Sequence, residues 1–294
     1  MLADDTVVSA VNGGASVRSV SEFRAASRSM PPAIARGLRV AAGTVVAAVT
    51  LAGVARAADA PPNLEGVWGM IQHDRLGAPF FIPIEPKYTD EGKRITAEFA
   101  AKYGLKGDVR GEWEANAHCV EPGMPTVMWG IGGAAMEIVQ QPKRITLLSE
   151  LANQSRRIFL DGRGFPGDVP DQRVGFSIGH WEGDTLVVET RKITEWHAPR
   201  WPHSNEMRIV ERWSLKDPSA FKITGLRADR PPPKITGKVL VNEMTINDPV
   251  MYADKNYKVT TIYRKLESQI MLEDNCSEGI WMQALEKAAG ATKN

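Results

Sequence analysis

The sequence predicts a mainly β domain whose strands are spaced as in an antiparallel barrel or sandwich. Three observations carry this. Short runs rich in β-branched and aromatic residues recur along the chain, broken by Gly, Pro, Asn and Asp. Only one stretch before the C-terminus has a convincing helical period. The third is Ser177 to Thr190, which reads as strand, tight turn and strand. Its turn is Glu182-Gly183-Asp184, where Gly tolerates positive φ and Asp can bond its own backbone. This reading gives about nine or ten strands, too many for an α/β unit.

The elements follow in order. Gly66-Val67-Trp68 leads into a strand near 67–72. Residues 76–86 are rich in Pro and apolar groups and read as an irregular crossing. Lys87 to Tyr103 is the flanking helix: Thr89 or Asp90 caps it, Ile95, Phe99 and Tyr103 share a face, and Gly104 ends it. Residues 105–134 are mostly loop. The glycines Gly130, Gly132 and Gly133 lack the strand-to-helix spacing of a nucleotide motif. Strands are expected at 135–140, 144–151 and 155–161, joined at Pro142-Lys143 and Asn153-Gln154, then at 174–179 and 185–190. Further strands are read at 206–213, 220–225, 236–246 and 257–265, with Arg230 to Pro233 as a rigid break. Residues 278–289 read as a short C-terminal helix.

The first 57 residues read as a leader rather than part of the fold. Residues 1–29 show no periodic apolar face. Met30-Pro31-Pro32, Arg36 and Arg39 then precede an apolar run from Val40 to Val54, and Ala55-Arg56-Ala57 matches a small-x-small cleavage site. The run is too short for a membrane span. The expectation is a start at Met30, cleavage near Ala57, and a single mature domain of residues 58–294 in the periplasm or secreted. No stable membrane insertion follows cleavage on this reading. In an oxidising compartment Cys119 and Cys276 are then a disulfide candidate, the alternative being a catalytic Cys119 beside His118. A net formal charge of +1 with interspersed signs argues against nucleic acid as a partner.

Gly179-His180-Trp181-Glu182-Gly183-Asp184-Thr185-Leu186-Val187-Val188 resembles the signature of a large family of exported bacterial proteins with no agreed activity. The resemblance extends to Cys119 to Pro125, Arg156-Arg157-Ile158 with Asp161-Gly162-Arg163, His203-Ser204 with Glu206, Glu211-Arg212, and Thr245 to Pro249. It implies a calycin-type, lipocalin-like β-barrel, and Gly66-Val67-Trp68 is similar to the lipocalin opening. The chain departs from the family at Phe176 and Phe165, where many relatives have His. Shared His-based chemistry is therefore not carried over.

Period-2 bookkeeping points to polar groups inside the barrel. Met207, Ile209 and Trp213 share a face with Glu211, and a carboxylate there needs a partner. Arg157 and Phe159 share a face opposite Ile158 and Leu160. Glu150 lies on the side of Leu148. Glu211, Glu150 and Arg157 are thus expected to point into a pocket, either as a structural ion pair or as a site. His203, His180 and His197 are acid–base candidates. Trp181, Trp196, Trp201 and Trp213 are dense enough to line an apolar cavity, with Glu150 and Glu206 as further binding groups. No metal-spaced cluster, phosphate loop or nucleophile elbow is present, so no cofactor or metal is expected.

The leading expectation is an exported carrier of a small hydrophobic or aromatic compound. The alternative is a cofactor-independent enzyme of isomerase, hydratase, lyase or cyclase type. There Glu211 or His203 would act as base, Arg157 as electrostatic stabiliser and His180 as a further acid–base group. A structural envelope protein with a filled barrel is the third.

Overall fold

Nine strands close into one barrel in the computed structural model, each pairing with the next in sequence and the last with the first. The strands are β1 (Gly66–His73), β2 (Ala135–Gln141), β3 (Arg144–Ser149), β4 (Ser155–Phe159), β5 (Phe176–Glu182), β6 (Thr185–Arg191), β7 (Arg208–Lys216), β8 (Val239–Asn247) and β9 (Tyr257–Lys265). The described residues are 60–74, 83–105, 119–129, 134–198, 200–224 and 231–274, with Glu278, Gly279, Met282 and Leu285 of the C-terminal segment. The barrel belongs to the unit Ala55–Asn294. The expected signal segment, His118 and Cys276 lie outside the described residues. Among the described residues no helix is long and apolar enough to cross a membrane.

Eight of the nine pairings are antiparallel. The exception is β4 with β5, where Ile158 faces Ser177 and Phe159 faces Ile178 in parallel. The barrel is thus mainly antiparallel, as expected, with one parallel pair. Residues 160–175 form a long crossover instead of a hairpin, and only such a connection can return a strand in the same direction. The β5–β6 hairpin turns on Gly183, at φ +58°, in a two-residue loop that asks for a positive φ.

The longest helix among the described residues, α1 (Asp90–Lys102), is capped by Thr89, whose Oγ1 accepts from the Gly92 amide at 2.8 Å. The Thr89 amide in turn donates to the Met251 carbonyl at 3.0 Å, tying the helix start to the β8–β9 connection. Ile95 packs against the core, while Tyr103 at the end of the same stripe is exposed. Glu278, Gly279, Met282 and Leu285 are helical, at the expected C-terminal position.

The expected strand at 220–225 is not formed by the described residues 221–224. Phe221 and Ile223 lie on the outer wall, against a small apolar cluster of Ile71, Val239, Val241 and Ile262. A side chain stands in for a strand neighbour: Gln72 Oε1 accepts from the Thr224 amide at 2.8 Å and its Nε2 donates to the Lys222 carbonyl at 3.1 Å. Ordinary alternation puts Trp68 and Met70 in the inner cluster and Ile71 in the outer one, and a register shift between Met70 and Gln72 lets Gln72 reach the outer segment as well.

Candidate functional site

Inward-facing residues follow the period of two along β7: Ile209, Glu211 and Trp213 are all buried. Their cross-strand partners set the layers above and below. Glu211 sits between Val188 and Met244, and Trp213 between Leu186 and Asn242. Glu211 therefore lies deep in the barrel with no exposed surface, where a lone carboxylate would be prohibitive.

Its partner is Arg156, not Arg157. In β4, Ile158 occupies the interior at 0% exposure, and the same phase brings Arg156 inward and leaves Arg157 exposed. The guanidinium meets Glu211 in a two-pronged ion pair, Nη1 to Oε1 at 3.1 Å and Nη2 to Oε2. Its remaining donors go to Ser177 Oγ at 3.1 Å, Thr190 Oγ1 at 2.8 Å and Met128 Sδ at 3.4 Å. Asn242 Nδ2 adds a second donor to Glu211 Oε1 at 3.0 Å, and Ser177 and Thr190 share a hydrogen bond at 2.9 Å. Every N–H of Arg156 is used. Such closure is what makes a buried ion pair tolerable.

A second polar layer borders this one and is less complete. Trp213 stacks on Tyr263 with ring centres 5.8 Å apart and planes 20° apart. The Tyr263 hydroxyl donates to the Met128 carbonyl. Burial first, then the Glu211 charge, pushes the Tyr263 phenol far above its ordinary range, so it stays a donor. The next residue, Trp129, meets His73 edge-on at 6.2 Å, and His73 Nδ1 bonds Thr261 Oγ1 at 3.0 Å. Thr261 lies opposite Asn242 in the β8–β9 pair. Trp213 Nε1, Trp129 Nε1 and Asn242 Oδ1 are buried without a hydrogen-bond partner among the described residues. Trp213 Nε1 and Asn242 Oδ1 thus go unmet within one cross-strand pair, and Trp129 Nε1 goes unmet where its ring packs against Trp201 and His73.

The other expected site residues fall elsewhere. Glu150 lies outside the barrel interior, just beyond β3. It accepts the Ala135 amide at 2.6 Å and the Leu272 amide at 2.8 Å, and so fastens loops. Glu206 is exposed. His180 is also exposed and pairs with Glu182 at 3.1 Å on the outer face, where Arg212 bonds the same carboxylate at 2.9 Å. Trp181 packs partly buried against the core near the β5–β6 turn. Trp196 lies under the Arg173 guanidinium at 4.4 Å, and its backbone pairs with that of His203. His197 lies in a cleft of about 270 Å³ beside α1, with Tyr88, Phe99, Leu105 and Pro202.

Trp201 is fully buried, its ring 4.7 Å from that of Trp129 and its Nε1 donating to the Pro83 carbonyl at 3.1 Å. His203 is buried between two carbonyls, Trp201 O at 2.7 Å from Nδ1 and Thr194 O at 3.1 Å from Nε2. Burial lowers its pKa, against the pull of those carbonyls and of Asp248. Ser204 and Asp248 lie next to it, yet no nucleophilic relay forms. Ser204 Oγ donates to Asp248 Oδ1 at 2.8 Å instead of to His203. Asp248 is itself occupied by the amides of Ser204, Val250 and Met251.

Among the described residues no group of three His, Cys, Asp or Glu side chains is placed to hold a metal ion. Compared with protein-family models and with curated proteins, the chain gives no match.

Proposed function

We propose that this protein is an exported binding protein for a small, largely apolar aromatic compound that carries a hydrogen-bonding group. The observation that supports this reading is the incomplete layer around Trp213 and Tyr263. Trp213 Nε1, Trp129 Nε1 and Asn242 Oδ1 are buried polar atoms without a partner among the described residues. Buried donors and acceptors are normally satisfied, and each one left bare costs about 1–3 kcal/mol. A ring lying beside the Trp213–Tyr263 stack, with one acceptor and one donor on its edge, would meet Trp213 Nε1 and Asn242 Oδ1, which belong to one cross-strand pair. The acid–base alternative draws less support. Of the groups it calls on, Glu211 is held by Arg156 and Asn242, His203 lies between two backbone carbonyls, and Arg157 is exposed on the outer wall.

Export and the Cys119–Cys276 bridge belong to the same reading. Among the described residues no cysteine is free. The mature chain would begin near Ala58, in the periplasm or outside the cell.

Native mass spectrometry of protein taken from its own compartment, followed by denaturation, tests the reading. The expected result is a released small aromatic compound, retained less well by Trp213→Phe, which keeps a stacking ring but removes one N–H. A clean apo mass, together with no compound captured when the protein is incubated with an organic extract of the same cells, overturns it.

A further inference from the structure

The outer wall of the barrel at β3 and β4 carries positive charge that the chain leaves unbalanced. Lys143 stands in the β2–β3 turn and Arg144 opens β3. Arg157 points outward from β4, opposite Thr146. None of these three cations has an acidic partner among the described residues. Arg144 is steadied only by a neutral amide, with Nη2 and Nε donating to Gln141 Oε1 at 2.8 and 3.2 Å. The whole chain carries a net charge of only +1, so this excess is local and not a reflection of a basic protein.

The cations surround an aromatic floor. Phe159 lies opposite Arg144 in the β3–β4 pair and stacks on Phe176 with centres 5.1 Å apart. The Arg163 guanidinium lies over the Phe159 ring at 4.0 Å and is fixed there by Asp161 at 2.8 and 3.0 Å. Phe165 meets Phe176 edge-on and carries Arg191 over its own face at 4.5 Å. Side chains locked this way cost little further ordering when something binds on them.

A cleft of about 550 Å³, open to solvent, lies among these groups and is lined by Pro142, Lys143, Arg144, Phe159, Asp161 and Arg163. That volume is in the range of small-molecule sites, roughly 300–1,000 Å³. Two unpaired cations at its rim and a ring in its wall define a ligand chemistry. We propose that this cleft is a second binding site, on the outside of the barrel, for a small aromatic anion such as an aryl carboxylate, sulfonate or phosphate. Lys143 and Arg144 take the anion, and Phe159 with its Arg163 cover takes the ring. The inference is independent of the barrel reading, because neither cation faces the interior.

The test uses 8-anilino-1-naphthalenesulfonate and its uncharged counterpart, N-phenyl-1-naphthylamine, titrated against the mature protein and followed by fluorescence and calorimetry. The sulfonate is expected to bind one site per chain. The double variant Lys143→Gln/Arg144→Gln should weaken it about tenfold or more, the scale of a lost charge-assisted hydrogen bond. Raising the salt should weaken it as well. The uncharged probe should show no response to the double variant. Phe159→Leu, which keeps an apolar side chain and the strand, should weaken the sulfonate again. Circular dichroism confirms that each variant is folded. Sulfonate affinity unchanged in the folded double variant, or no sulfonate bound at all, overturns the proposal. Neither outcome touches the native-mass result for the barrel.

Discussion

At the scale of single residues, Arg156 and Glu211 settle each other's charge in a place where neither could stand alone. Both side chains are essentially without exposed surface, at 2% and 0%. Replacing Glu211 by Gln keeps the shape but leaves a guanidinium buried against an amide. The expected cost is about 3–5 kcal/mol in urea unfolding. Replacing both, as Arg156→Met with Glu211→Leu, should cost less than the single change, because no charge is stranded. A single Glu211→Gln variant with a near-native unfolding midpoint would show that the pair is not the closed unit described here. His203 gives a second expectation, in pH. Burial holds its folded pKa below the ordinary 6.5. The unfolded chain therefore takes up a proton first as pH falls. Stability from this group is complete above about pH 6.5 and is lost progressively below it, towards the folded pKa. A neutral ring has one N–H for two carbonyls, so the arrangement already sits at its limit. Stability measured between pH 7.5 and 5.5 should fall in the native protein and fall less in His203→Gln. Equal slopes would remove His203 as the cause.

At the scale of elements, the residue pattern spoke clearly wherever a strand had one dominant apolar phase. In β7, Ile209 and Trp213 leave no doubt about the inner face, and Glu211 comes with them. In β4 the run Arg156-Arg157-Ile158-Phe159 offers an arginine in either phase and an apolar residue in either phase. A slip of one residue exchanges the faces completely. The barrel resolves it by burying Ile158 and leaving Phe159 to the outer wall, where Phe176 receives it. The signal that favoured Arg156 was Leu160, a second aliphatic residue in its phase. Glu150 shares the phase of Leu148, and β3 turns Ile145, Leu147 and Ser149 inward, so that phase faces outward; the strand also ends at Ser149. The stretch 221–224 has strand composition, yet its backbone bonds are met by the Gln72 side chain, which local pattern cannot foresee. Asn242, Thr190 and Ser177 became part of the interior site through cross-strand register alone. Nothing in their own segments marks them out from ordinary strand polar residues.

At the scale of the whole molecule, two distant segments converge on one small turn. Residues 151–153 make a tight bend, with Ala152 and Asn153 both in the left-handed region at φ +55° and +48°. The C-terminal segment docks on it from one side: Ala152 N donates to Asp274 Oδ2 at 2.7 Å, and Asn153 Nδ2 donates to the Asp274 carbonyl at 2.7 Å. The loop after Cys119 docks beside it: Gln154 Oε1 accepts from the Gly123 amide at 3.3 Å, and its Nε2 donates to Glu121 Oε2 at 3.3 Å. Gly123 is held at φ +67° with the Arg173 carbonyl so close that a Cβ would strike it at 2.5 Å, so this loop has little freedom to move away. Asp274 lies two positions before Cys276, and Glu121 two positions after Cys119. Cys276 lies outside the described residues, and the proposed bridge to Cys119 would reinforce this convergence of Asp274 and Glu121 on one turn. Such a bridge would close a loop of about 157 residues, and loop-closure entropy sets its contribution at up to about 4–5 kcal/mol. Thiol titration of the unfolded, unreduced protein should therefore find no free thiol. Reduction should shift urea unfolding to lower concentration and loosen the tail at Asp274 first, seen as faster amide exchange at Ala152. Two titratable thiols in the unreduced protein would exclude the bridge, and non-covalent contacts, among them those of Asp274 and of Leu272 with Glu150, would then hold this segment on the barrel.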